Sequence, residues 1–293
     1  MGKFVISSHG RLQDWIAVEE GFFADEGLDF QMDVRVQENA QQSIEPSDRA
    51  DVRMGAYELY VAGVGGKKDM SCACHWAVNQ AAVDDAGKMW GGAYSILPAA
   101  IFVQERSEIR RPSDLAGVEV AVGYHSGSHF STIQALEPFL ETDQIRLRFG
   151  GMPYDRVDAL LDGTVQAAAV WSAPTYLLEQ LGCRKILDTT FVAGFMFSSA
   201  IDAADVTRYM NALRRAQMKL DLAPEAYKHY FTDEIPARYQ DRIDVRCFGT
   251  GERIVFLPYT EDAYHRTQEW MRARGLFETA TGELPDYRSV VQV

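Results

Sequence analysis

The chain is short of basic residues. Against 42 Asp and Glu it carries 29 Lys and Arg in 293 residues, for a formal net charge of −13. Nucleic acids and anionic membrane surfaces are bound chiefly through clustered Lys and Arg, so neither is an expected partner, which leaves room only for a local site that takes a small anion. Cysteine is scarce as well, with four residues. Cys72 and Cys74 are too close to pair with each other comfortably, and Cys183 and Cys247 lie far away, so no disulfide framework is implied. No apolar run approaches membrane-spanning length, and membrane insertion is not expected. Residues 1–9 lack the long apolar stretch and small-residue cleavage site of an export signal. As written, the chain is expected in the cytoplasm, or in the periplasm if a signal was trimmed. No internal repeat or low-complexity segment is visible.

What is present suits two α/β lobes, each large enough for its own core. A short strand at 5–7 leads through a loop to a helix over 11–23 and a second strand at 30–36, a βαβ unit and hence parallel pairing. A loop at 37–47, a strand turning into helix at 52–60 and a strand at 69–72 follow. A helix over 75–89 comes next, then a longer apolar strand at 96–104 suited to crossing between lobes. Strands at 118–122, 145–149, 166–171 and 185–187 alternate with helices at 154–161 and 174–181. A second crossing is expected at 195–200, with amphipathic helices over 203–220 and 260–274 and a tail from about 276.

The stretch over 123–132, Gly-Tyr-His-Ser-Gly-Ser-His-Phe-Ser-Thr, follows one of these strands and opens a helix. Its glycines let the backbone turn sharply, Ser126 and Ser128 can cap the helix started by Gly127, and free N–H groups there make a ready anion site. His125 and His129 lie in the same turn. With His9 and His75 they put four of the six histidines just beyond predicted strand ends, where open α/β sheets place ligands. Cys74 stands at another strand-to-helix switch. A thiol at a helix start has its thiolate stabilised, and His9 or His125 from other loops is its better partner; Cys72 is expected in the core. Trp171 and Trp76 can supply aromatic walls, while Ser8, Tyr57, Glu58 and His75 are further candidates for contacts to a ligand. Cys74 and His75 match no standard zinc spacing, so neither a metal nor a cofactor is expected.

Several segments occur in an order that resembles the type 2 periplasmic-binding-protein superfamily, in its branch of sulfonate-, nitrate- and taurine-binding proteins and THI5-like pyrimidine synthases. They are Ile16-Ala17-Val18-Glu19-Glu20-Gly21-Phe22-Phe23-Ala24-Asp25-Glu26-Gly27-Leu28, the lead-in Pro112-Ser113-Asp114-Leu115-Ala116-Gly117-Val118, the Gly127-Ser128 helix start, and Asp162-Gly163-Thr164-Val165-Gln166-Ala167 ahead of Val170-Trp171. The resemblance implies a two-lobed α/β fold, each lobe a mainly parallel sheet flanked by helices, joined by two crossing strands. Lobe one would comprise 1–99 and 200–293, and lobe two 100–199. It also implies a small organic ligand, anionic or aromatic, gripped between the lobes, with a transporter or a second copy of the chain as partner. The synthases carry a cysteine-rich iron motif; here the equivalent strand, Ala167-Ala168-Ala169-Val170-Trp171, has no cysteine, so iron chemistry is not carried over. The alternative is an enzyme on the same scaffold, a hydrolase, decarboxylase or isomerase of a small carboxylate or amide, using Cys74 with His9 or His125.

Overall fold

The computed structural model describes residues 3–7, 10–33, 69–276 and 285–292. Strand β1 (Phe4–Ile6) turns Phe4 and Ile6 inward, and it reaches its parallel neighbour β2 (Phe30–Met32) through helices α1 (Leu12–Glu19) and α2 (Phe22–Asp25). The sequence reads as one helix here. Gly21 divides it, because its φ of +71° cannot belong to a right-handed helix. Strand β3 (Met70–Cys74) pairs in parallel with the other edge of β1.

Helix α3 (His75–Val83) follows β3 without a gap and ends earlier than its apolar spacing suggests. Asp85 takes a left-handed conformation, φ +55°, and the Ala86 and Asp85 N–H groups donate to the Ala81 and Ala82 carbonyls, a Schellman ending formed without glycine. Residues expected to continue the helix instead form β4 (Lys88–Trp90).

The apolar stretch expected as one crossing strand is two, β5 (Tyr94–Leu97) and β6 (Ala99–Val103), in different sheets. Pro98 stands between them. With no N–H to give to a ladder and φ fixed by its ring, it interrupts the strand where the chain changes sheet. A short 3-10 turn at Pro112–Leu115 precedes β7 (Glu119–Val122). Then come α4 (Gly127–Leu136), β8 (Arg146–Phe149), α5 (Pro153–Leu161), β9 (Ala167–Trp171), α6 (Ala173–Gln180) and β10 (Arg184–Asp188). The smaller sheet runs β10-β6-β9-β7-β8, parallel across β9, β7 and β8 and antiparallel where β6 joins β9 and β10. Central β9 is sandwiched between neighbours, and its run of three alanines lets helices lie close on it.

The return passage comes at Thr189 and Thr190, where Asp188 accepts the Thr190 N–H at 2.9 Å in a tight turn. β11 (Phe191–Phe197) then pairs antiparallel with β3, β4 and β5 in the larger sheet. This lies ahead of the crossing expected at 195–200: the whole apolar strand belongs to the larger sheet, and the polar pair before it makes the passage. Beyond it lie α7 (Ala203–Leu222), α8 (Phe231–Glu234), α9 (Ala237–Gln240), β12 (Arg253–Val255), α10 (Glu261–Ala273), α11 (Tyr287–Val290) and β13 (Val291–Gln292). The larger sheet runs β12-β5-β11-β3-β1-β2, with β4 joining β11 to β13. Its parallel part is confined to β2-β1-β3 and β4-β13, since the strands that carry the chain between sheets run against the rest. Val291 and Gln292, near the end of the chain, thus join the larger sheet. Among the described residues no helix is long and apolar enough to cross a membrane. The features expected at 37–47 and 52–60, and the end of the strand expected to reach 36, lie outside the described residues.

Candidate functional site

Three strand ends converge. β3, β7 and β9 each finish at a helix start, and the residues there share one apolar cluster that holds Cys74, Trp76, Phe130 and Phe191, with Trp171 packed against it. Trp76 is fully buried, its ring centroid 5.7 Å from Phe130, 6.1 Å from Phe191 and 5.8 Å from Trp270. The starts of α3 and α4, one from each sheet, therefore meet through the Trp76 and Phe130 rings. Trp76 is packed on these rings rather than standing as an open wall, while Trp171 is half-buried at the end of β9.

The turn into α4 is tied by its own serines. The Gly123 N–H donates to Ser128 Oγ at 3.0 Å, Ser126 Oγ donates to the Gly123 carbonyl at 2.5 Å, and the two hydroxyls are 2.9 Å apart. With the Ser126 proton on that carbonyl, Ser128 is the donor between them. Gly127 is required by packing: a Cβ there would lie 2.2 Å from the Phe191 ring. His125, at φ +50°, gives its backbone N–H to His129 Nδ1 at 3.2 Å, and the two rings stack with centroids 5.7 Å apart. Burial, then the neighbouring His125, pushes the His129 pKa down to about 3. A neutral ring with Nδ1 as acceptor agrees with that bond.

His75, first in α3, turns Nδ1 inward, 3.2 Å from Tyr259 Oη and 3.1 Å from Thr267 Oγ1. Burial lowers its pKa to about 3, so it too is neutral. Its partners come from α10 and the loop before it, which makes it a fastener between α3 and α10. Cys74 is buried at the junction of β3 and α3. Ser8, His9, Tyr57 and Glu58 lie outside the described residues, and with them the pairing of Cys74 with His9. Among the described residues no three His, Cys, Asp or Glu side chains are grouped to hold a metal ion.

Sequence reasoning missed a buried polar network under α1. Arg11 is wholly buried, its Nε 3.4 Å from Asp14 and its Nη1 3.7 Å from Glu252, with the guanidinium 4.6 Å above the Phe195 ring. Tyr209 donates to Asp14 at 2.8 Å, and Ser95 donates to Glu252. Burial lowers the Arg11 pKa, but the neighbouring Cys72, Glu252, Asp14 and Tyr209 outweigh that and hold it well above the ordinary value. Cys72 is buried as expected but faces this network, 3.8 Å from Glu252, and burial pushes its thiol far up. Glu234 touches the space beside Gly10, and burial, followed by the Asp233 and Glu252 charges, raises its pKa well above the carboxylate range. Ser172, after β9, was missed too; it is held at φ +54° and ψ −136° and gives its N–H to the Pro98 carbonyl at 2.8 Å. No periodicity marks any of these positions: Arg11, Ser172 and Glu252 stand just outside the regular elements, where a buried polar group reads like a surface residue.

No family model matches the sequence, and no curated protein matches it. Solved structures do. The alkanesulfonate-binding protein SsuA from Xanthomonas axonopodis pv. citri, bound to MOPS, matches with a TM-score of 0.69 at 15% identity, over 100% of this chain and 98% of that one. The chain has the fold of the type 2 periplasmic binding proteins. The periplasmic aliphatic sulphonate binding protein SsuA from Escherichia coli matches at TM-score 0.65 and 15% identity, over 100% of this chain and 93% of that one. The desulfurization enzyme DSZB matches at TM-score 0.59 and 14% identity, over 96% and 95%. Among the described residues, the passages at Pro98 and at Thr189 and Thr190 link the two sheets covalently, and the converging ends of β3, β7 and β9 lie beside them.

Proposed function

We propose that the protein binds a small organic ligand with an anionic end, between the two sheets where α3 and α4 begin. The observation that carries this reading is the meeting of those helix starts at the ends of parallel strands, beside an aromatic cluster. Free N–H groups at a helix start attract negative charge, and the half-buried Trp171 ring gives an organic body a surface to pack on. The likeness to sulfonate-binding proteins supports a sulfonate as the first ligand to try, and a membrane transporter as the recipient of the ligand. The likeness to a periplasmic protein supports that compartment as the place of action, to be checked by cell fractionation. Calorimetric titration of the whole chain with MOPS, octanesulfonate and benzenesulfonate tests the reading: saturable binding of at least one is expected, and no heat from any of them contradicts it.

A second reading is favoured by Cys74, a thiol at a helix start, and by the occurrence of an enzyme among the structures of this fold. On it, Cys74 acts with a histidine of the same cleft on a small carboxylate, amide or sulfur acid. Cys74→Ser should then abolish turnover while leaving ligand binding and melting temperature nearly unchanged; turnover unaffected by the change removes the thiol from the mechanism.

A further inference from the structure

Arg156 lies in the first turn of α5, directly after β8, so it stands at the same end of the smaller sheet as the turn into α4. It is 1% exposed. Its Nη1 donates to the Gly151 carbonyl at 2.8 Å, while Nε and Nη2, both buried, find no acceptor. Those two atoms form one straight edge of the guanidinium, with parallel N–H bonds spaced to meet two oxygens of a carboxylate, sulfonate or phosphonate. The charged neighbour that acts on Arg156 is Asp155, whose carboxylate already accepts the Met152 N–H at 2.8 Å. Burial lowers the Arg156 pKa only to about 10, so the group remains a cation at neutral pH.

The backbone around it is made to fit. A Cβ on Gly123 would come within 2.8 Å of Nη1, and one on Gly150 within 2.8 Å of Arg156 Cγ; the next atom beside the Gly123 position is Ser126 Oγ at 3.1 Å. Nη1, the atom already bonded to the Gly151 carbonyl, thus lies against the turn that opens α4. A buried cation with an unused two-pronged edge costs stability that an apolar side chain of similar size would not, unless an anion completes it.

We propose that the Nε and Nη2 edge of Arg156 holds the oxyanion of the ligand. The proposal rests on the reading that the cleft takes a small organic anion, and it assigns the charge recognition to one residue that no sequence pattern marks.

The test is calorimetric titration of the whole chain, and of its Arg156→Gln and Arg156→Lys variants, with benzenesulfonate, benzenephosphonate, benzoate and the neutral benzenesulfonamide. Wild type should bind at least one of the anions. Arg156→Gln should lose roughly tenfold to a hundredfold in affinity for it, and Arg156→Lys should lose less, because it keeps the charge without the fork. The sulfonamide should bind all three proteins alike. Equal anion affinity in wild type and Arg156→Gln overturns the proposal and leaves the cleft reading standing, whereas no anion binding to wild type overturns both. Should Arg156→Gln fail to fold, arginine Nε–H resonances of wild type decide. The anion that wild type binds should shift one signal that is missing from Arg156→Lys, and an unmoved signal rules the contact out.

Discussion

The hydroxyls of Ser126 and Ser128 close a ring of hydrogen bonds with the two backbone groups of Gly123. Changing both to Ala should therefore lower stability by about 1–3 kcal/mol, measured by urea denaturation, with the larger effect on folding rather than on ligand affinity. Affinity lost at unchanged stability would make the hydroxyls ligand contacts instead. Titration is the other residue-scale test. His75 and His129 have folded pKa values near 3, below the unfolded value of about 6.5. The unfolded chain then binds protons first as pH falls, so stability is intact above about 6.5 and lost progressively below it. Glu234 has the opposite sign, since its folded pKa is raised and its effect is to lose stability as pH climbs above the unfolded carboxylate value. In a Glu234→Gln background, stability should fall from pH 7 to pH 5 by on the order of 1–2 kcal/mol per histidine, and His75→Gln should flatten that slope. A slope untouched by either histidine change contradicts their burial as neutral rings.

Gly127 shows how an element is positioned. Alanine inside a helix is normally better than glycine by roughly 0.5–1 kcal/mol, but the Phe191 ring occupies the place of the added methyl. Gly127→Ala should accordingly destabilise by about 1–3 kcal/mol, and Phe191→Leu in the same chain should recover part of the loss, as read by melting temperature. The long helices α7 and α10 were legible because their apolar period and their Asp202 and Thr260 caps agree. The turn before α4 was legible in outline through its glycines and serines. What escaped were the places where one residue overrides the period. Gly21 splits a helix, Asp85 ends one without glycine, and Pro98 divides one apolar run between two sheets. In each case the backbone conformation of one residue chose between two readings that the apolar period left open. The site was legible to the extent that it sits at strand ends. Arg11, Arg156 and Glu234 were not, since nothing local distinguishes a buried charge from a solvated one.

At the scale of the molecule, the two sheets are linked by two short passages and by side chains that reach across. Glu137 at the end of α4 accepts the Trp270 Nε1–H at 3.3 Å and forms a close ion pair with Arg274, both at the end of α10. This joins the smaller sheet's helix to the larger sheet's, on the side where α3 and α4 meet. If ligand exchange requires the sheets to part, Glu137→Gln should speed ligand release by up to about fivefold, the range of a partly exposed pair, with the association rate little changed. Stopped-flow release rates check this, and identical rates would mean that the contact plays no part in holding the ligand.

The measurement that bears most directly on the whole account is the melting temperature of the intact chain with and without small anions. A ligand at a hundred times its Kd stabilises by about 2.7 kcal/mol, which for a chain of this size is a rise of roughly 4–5 °C. Such a rise is expected with a sulfonate, phosphonate or aromatic carboxylate and not with its neutral analogue. An unchanged melting temperature across the whole set would contradict the assignment of the α3 and α4 starts as an anion-binding cleft.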